Sequence, residues 1–295
     1  MVAALWMLCS SFLFAVLGAV VQLATPDMGT MGIVCYRGIF AVVTIWVWAA
    51  WKGETVKTRQ VKAHCIRSFL GVMAMSLWLW SLSKLPLGTS MTLTYTTPLF
   101  MAAGALLNAA RRRVRPEWSL AATALVGFAG VAMVMQPEFT VTQLYGVAAC
   151  LGSSFLGAVT AVQIRQLAQL REPSWRVVFY FSALCIPVGL IGHLAWEPAL
   201  HIDVTTLWYA LAIGLSATLA QIAVTKAWGG GNLLVSAIVQ YSGILFGAAI
   251  GAILYGETVS MRAACGMLVI VATGVYATMH MRSLAKKAKT AKSSR

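Results

Sequence analysis

Runs of about twenty mostly apolar residues, broken by short polar or Gly/Pro punctuation, recur along the chain. A helix crossing a bilayer needs roughly 20 such residues. The pattern predicts ten spans, at 3–24, 28–51, 65–83, 87–110, 118–136, 143–165, 174–196, 204–226, 233–255 and 260–281. Separators such as Thr25-Pro26-Asp27 and Gly229-Gly230-Gly231-Asn232 are turn-formers. A membrane barrel would show shorter, alternating segments of about 10 residues. These runs are longer and apolar on every side, which predicts helices. The first run has no basic residues before it and is too long for a signal-peptide core, so no cleavage is expected.

Composition places all ten runs in lipid. Of 295 residues, 60% are hydrophobic and 10% charged, and mean hydropathy is +0.80. Both fractions exclude a soluble globular enzyme and a disordered chain. The six cysteines (Cys9, Cys35, Cys65, Cys150, Cys185, Cys265) form no CxxC pair and read as small buried hydrophobes. The four scattered histidines make no HExxH or Cys/His cluster, so no metal site is expected.

Net charge is +14. If the N-terminus is inside, 19 of the 22 Lys and Arg fall in alternate loops and the C-terminal tail, Arg67 being placed in the 52–67 loop. The opposite loops hold Asp27, Glu138, Glu197, Asp203 and Glu257. The positive-inside rule then puts both termini in the cytoplasm. The basic excess is topological and does not indicate a nucleic-acid partner; the tail can also touch anionic lipid.

An internal repeat is visible. Ser10-Ser11-Phe12-Leu13 with Ala15-Val16 recurs as Ser153-Ser154-Phe155-Leu156 with Ala158-Val159. Tyr95, Leu99, Phe100, Ala102 and Ala103 recur as Tyr241, Leu245, Phe246, Ala248 and Ala249. The matches imply two halves of five spans, and an odd number inverts the second half. Inverted repeats suit secondary transporters, whose halves exchange conformations about a central site. With no G-x-x-x-x-G-K-[ST] loop, energy is expected from a gradient or from exchange.

Arg37, in Tyr36-Arg37-Gly38, lies about nine residues or roughly 13 Å into the second span. An ionisable residue at that depth normally faces a cavity. It reads as an anchor for a carboxylate or phosphate, or as a structural Arg satisfied by helix carbonyls. All eight acids fall in loops or at span ends, so no midplane carboxylate carries protons. Trp78, Trp80, Tyr95 and Tyr241 are candidate cavity aromatics, although packing or lipid contact serves Trp78 and Trp80 equally. Gln163, Gln221 and Gln240 suit either cross-helix hydrogen bonds or substrate contact. Gly243, Gly247 and Gly251 form a GxxxGxxxG face, read first as packing within the chain and second as a dimer contact. Pro98 and Pro187 should kink their spans and could shape or gate a cavity. Glu257 reads first as a helix cap or interfacial ion pair.

Together these features resemble the EamA family of the drug/metabolite transporter superfamily over residues 3–281. The resemblance is carried by Thr97-Pro98-Leu99-Phe100 and by Tyr255-Gly256-Glu257-Thr258, whose Gly-Glu pair is similar to the signature closing the fourth helix of each half. The first half has Ala110-Arg111 there instead. Tyr36-Arg37-Gly38, Ile66-Arg67-Ser68-Phe69-Leu70-Gly71 and Leu85-Pro86-Leu87-Gly88 resemble one subgroup, which includes carriers for riboflavin, S-adenosylmethionine and amino-acid-derived metallophores. The resemblance implies a basket of helices around a central cavity and a secondary carrier of small polar metabolites, with exporters and importers both represented.

The expectation is an all-α membrane protein in a bacterial inner membrane. Ten transmembrane helices form two inverted five-helix repeats (1–136 and 143–281), followed by a basic tail (282–295). It needs no cofactor or metal, is not an enzyme, and works as a monomer or homodimer. It would move a small metabolite bearing an anionic group by alternating access, export before uptake. Arg37, Trp78, Trp80, Tyr95, Gln163 and Tyr241 would contact substrate, and Pro98, Gly243, Gly247, Gly251 and Glu257 would serve gating or packing. The competing reading is a membrane scaffold or sensor that transports nothing.

Overall fold

A computed structural model describes residues 2–82, 84–85, 87–111, 113, 117–137, 143–197, 203–255 and 260–293. Glu257 lies outside them. Among the described residues there are twelve α-helices and no strand: α1 (Val2–Met28), α2 (Thr30–Trp51), α3 (Val61–Leu82), α4 (Leu87–Thr94), α5 (Thr97–Arg111), α6 (Trp118–Met135), α7 (Leu144–Gln169), α8 (Ser174–Trp196), α9 (Val204–Gly229), α10 (Leu233–Gln240), α11 (Ser242–Tyr255) and α12 (Met261–Ser293). Eight stretches are long and apolar enough to cross a membrane, α10 and α11 counting together over Leu233–Leu254. The chain is a multi-pass membrane protein.

Each predicted segment falls on one helix, except 87–110 and 233–255, which each hold two. The α4–α5 break follows from Pro98, which has no N–H to give the Thr94 carbonyl. Thr97 Oγ1 (3.0 Å) and Ser154 Oγ (3.3 Å) bond that carbonyl instead. Thr96 Oγ1 bonds the Leu93 carbonyl at 2.6 Å. Pro98 therefore opens α5 rather than kinking its interior. Pro187 lies inside an unbroken α8. At the second break the Tyr241 amide bonds Ile238 O at 3.1 Å, a tighter three-residue turn.

Two boundaries differ from expectation. The Thr25-Pro26-Asp27 punctuation lies inside α1. Thr25 Oγ1 bonds Val21 O at 2.6 Å, and the helix runs on until Gly29, at φ +67°, ends it. Residues 282–293, expected as a tail, continue α12; Ala and Lys are strong helix formers.

Packing is inverted relative to a soluble core. On α9, Leu207, Leu211, Leu215 and Leu219 recur every fourth residue and are exposed. Its buried face is mostly small: Ala210, Gly214, Ser216, Ala217, Thr218, Ala220, Ala223 and Thr225. Lipid tails are as apolar as leucine, so close packing of small residues holds such helices together. The principal helix pairs are α1 with α9, α3 with α7, α2 with α8, and α6 with α12.

Serines pin two of these pairs in matching ways. Ser10 Oγ on α1 donates to Ala220 O on α9 at 3.1 Å. Ser153 Oγ on α7 donates to Ala74 O on α3 at 2.7 Å. Ser10 and Ser153 are the corresponding serines of the internal repeat.

The α6–α12 contact also brings two backbones close together. A Cβ on Gly266 would sit 2.7 Å from Gly130 O, and one on Gly130 2.9 Å from Gly266 O. Gly247, by contrast, has open space beside it, while a Cβ on Gly243 would lie 2.9 Å from the Tyr95 hydroxyl. Gly266→Ala is therefore expected to destabilise the fold by about 1–3 kcal/mol through overpacking, with Gly247→Ala close to neutral. Thermal unfolding in detergent, followed by intrinsic tryptophan fluorescence, measures both.

Candidate functional site

The site is built where α2 lies on α8. A Cβ on Gly189 would strike the Cys35 backbone, and one on Gly38 would lie 2.9 Å from Ser182 O. Glycine at these positions lets the two backbones approach closely. Arg37 of α2 thereby reaches Phe181 of α8, its Cζ 5.9 Å from the ring centroid.

A second guanidinium meets the same ring. Arg67 of α3 places its Cζ 4.2 Å from the Phe181 centroid. Arg67 was expected in a loop; it stands six residues inside α3 and is only 1% exposed. Its Nε and Nη1 have no hydrogen-bond partner. A one-dimensional count of charges could not find it, because α8 is the neighbour that buries it. The only hint was the Ile66–Gly71 motif.

Beside Arg37 is a small cleft lined by Ala41, Ser182, Ala217, Thr218 and Gln221. Its volume is about 10 Å³, room for about one water molecule. The lining offers hydroxyl and amide groups and no carboxylate. Among the described residues no acid pairs with Arg37 or Arg67, and no group of His, Cys, Asp or Glu could hold a metal ion.

The other expected site residues are distributed differently. Tyr95 and Tyr241, at the two helix breaks, meet edge to face with centroids 6.1 Å apart. Tyr241 is fully buried and donates to Ala124 O at 3.2 Å. Trp78 packs with Leu85, Leu93, Val147 and Leu151 in a separate cluster, its indole N–H buried without a partner. Trp80 is 47% exposed. Gln163 is half-buried on α7, and none of these residues lines the Arg37 cleft.

A carboxylate clasps each end of the α2–α8 pair. At one end the α2 N-terminus has no side-chain cap of its own. Glu197, at the C-terminus of α8, supplies one in trans: it accepts from the Met31 amide (2.7 Å) and the Gly32 amide (2.9 Å). His193 Nδ1 lies 2.9 Å from the same carboxylate. Free amides and the helix dipole make that terminus an anion site. A Cβ on Gly29 would collide with the carboxylate.

At the other end Glu172 accepts from Thr58 Oγ1 and from Arg176 Nη1 (3.0 Å), with His64 Nε2 3.3 Å away. Arg176 Nη2 also bonds Thr55 O at 2.7 Å, and Tyr180 bonds Val56 O at 3.1 Å. The loop after α2 is thus tied to the start of α8. Neither clasp was legible in sequence, where both acids sit at span ends and look solvated.

Partial burial pushes both carboxyls up. For Glu172 the bonds from Thr58, Arg176 and His64, with the Arg176 charge, outweigh it. For Glu197 those from Met31, His193 and Gly32 do so. Both are held below the usual carboxylate range.

The EamA-like transporter family model matches residues 1–136. Over a longer stretch the chain is 29% identical to the riboflavin transporter of Vibrio cholerae, across 76% of this chain and 75% of that protein. It is 26% identical to the pseudopaline exporter of Pseudomonas aeruginosa, across 89% of this chain and 91% of the exporter. A crystal structure at 19% identity superposes with a TM-score of 0.79, covering 96% of this chain and 98% of the other, and shares the fold. The EamA-like relatives are named as transporters, not enzymes.

The depressed carboxyls set a pH dependence. A carboxyl held below its ordinary value of 4.5 stabilises the fold above that value and loses its contribution as pH falls through the lower folded value. Glu197→Gln should cost about 1–3 kcal/mol at pH 7 by weakening charged hydrogen bonds. It should also flatten the loss of thermal stability of the wild type below pH 4.5. Melting temperatures of both proteins from pH 3 to 7 provide the check; parallel curves would remove Glu197 from the account.

Proposed function

We propose that the chain is a secondary transporter that moves a small polar metabolite with an anionic group by alternating access, with Arg37 as the anchor. The observation that carries this is a half-buried guanidinium lining a cleft of neutral hydrogen-bonding groups, with no carboxylate paired to it. Arg is the side chain suited to bidentate grip on carboxylate or phosphate. The relatives named for carrying small metabolites support the substrate class, and the named exporter supports outward transport.

In this reading residues 1–136 and 143–281 are inverted five-span repeats in a bacterial inner membrane, both termini cytoplasmic. Support comes from the helix pairs. Exchanging each span with its counterpart in the other half converts the α1–α9 pair into α7–α3 and returns α2–α8 and α6–α12 to themselves. The Ser10 and Ser153 bonds follow the same exchange. So do the clasps: each joins the loop after one member of the α2–α8 pair to the start of the other. Transport then requires one clasp to open while the other stays closed.

The test is paired metabolite profiling of cytosol and medium in cells expressing wild type, Arg37→Ala or an empty vector. One anionic metabolite should move outward with the wild type only, while Arg37→Ala reaches the membrane at wild-type level but transports at the empty-vector level. Undiminished transport by Arg37→Ala would sink the anchor. Movement into the cell would reverse the direction, and movement of nothing in the native cell would favour a scaffold.

A further inference from the structure

We propose that Arg37 and Arg67 act together as one site for a ligand bearing two negative charges, such as a dicarboxylate or a phosphate dianion. This deepens the transport reading above and rests on it. Arg67 was not part of that reading; the structure brings it to the same ring as Arg37.

The charge at this place is uncompensated. Arg67 is 1% exposed, and its Nε and Nη1 are buried without partners. A guanidinium does not shed its proton to escape burial. The attraction of one aromatic face is small beside the cost of taking that charge out of water. Arg37 stands over the same Phe181 ring and adds like-charge repulsion.

Among the described residues no carboxylate relieves this. Glu172 is occupied by Thr58 and Arg176, and Glu197 by the Met31 and Gly32 amides and His193. Asp203 caps its own helix, accepting from the Thr206 amide. Ser182, Thr218 and Gln221, beside Arg37, can bond a ligand but cannot neutralise charge. A monoanion would balance one guanidinium and leave the other. A dianion balances both, and desolvated donors beside developing contacts give the strongest charge-assisted bonds.

Specificity follows from the same arithmetic. A site that leaves a buried guanidinium unpaired discriminates against the monoanion. Gly71 adds a steric handle. A Cβ there would lie 3.1 Å from Phe181 Cε2 and 3.3 Å from Arg67 Nη1, so Gly71→Ala presses on both the ring and the guanidinium without changing charge.

The experiment uses the full chain purified in detergent in chloride-free buffer at pH 8, titrated calorimetrically with succinate, inorganic phosphate, acetate and chloride. Succinate or phosphate is expected to bind at least tenfold tighter than acetate or chloride, and which of the two binds identifies the dianion class. Arg67→Gln and Arg37→Gln should each reduce that preference at least tenfold. Arg67→Lys should recover part of it, and Gly71→Ala should weaken dianion binding with little effect on acetate. If Arg67→Gln does not fold, the wild-type ratio and Gly71→Ala decide. A wild-type ratio near one, chloride binding as tightly as the dianions, no binding of any probe, or an unchanged preference in Arg67→Gln overturns the two-charge site. Transport of a monoanion that depends on Arg37 but not on Arg67 would overturn it while leaving the transporter reading intact.

Discussion

The approach of α2 to α8 is the contact on which the site depends. Gly38 and Gly189 let the two backbones come together, and only then does Arg37 stand over Phe181. Arg67 reaches the same ring from α3, which packs on α8 as well. In lipid there is no hydrophobic force between helices, so such contacts rest on shape and on hydrogen bonds. The glycines supply the shape. Glu172 and Glu197 supply hydrogen bonds at the two ends.

The same absence of water governs the polar groups elsewhere. Pro98 frees the Thr94 carbonyl, and Thr97 and Ser154 take it up. Ser10 and Ser153 bond backbone carbonyls on neighbouring helices. Backbone and hydroxyl groups are therefore satisfied at several irregular points of the bundle, as a bilayer demands. Against that background two guanidiniums with no counter-charge among the described residues stand out. Protein interiors seldom carry such a cost without a use, and an anionic ligand is the use that the chemistry fits.

The two clasps frame this arrangement. They are built from the same components, a glutamate with a histidine beside it, at opposite ends of one helix pair. Each is a handful of hydrogen bonds at a helix end, where local opening costs less than in the packed middle. Between them the glycine contact of α2 and α8 is close-packed. In the transport cycle proposed above, one end opens while the other stays closed.

Sequence by itself determined the solvent of this protein and the placement of its helices. Apolar runs of bilayer length are a local property, and a chain so poor in charge has no other stable setting. Arg37 was visible for the same reason, because it interrupts one of those runs near its middle. The breaks at Thr94–Thr97 and Tyr241 were not visible, since hydropathy is blind to a lost carbonyl partner. Arg67, Glu172 and Glu197 were placed in loops or at span ends. Which neighbouring helix covers a span end is a tertiary fact. Here α8 covers Arg67, and the helix pair it makes with α2 engages both glutamates. Trp80 shows the converse: it was read as a candidate cavity residue, yet it stands 47% exposed and does not line the Arg37 cleft, because helical rotation, not position in the chain, decides which way a side chain faces.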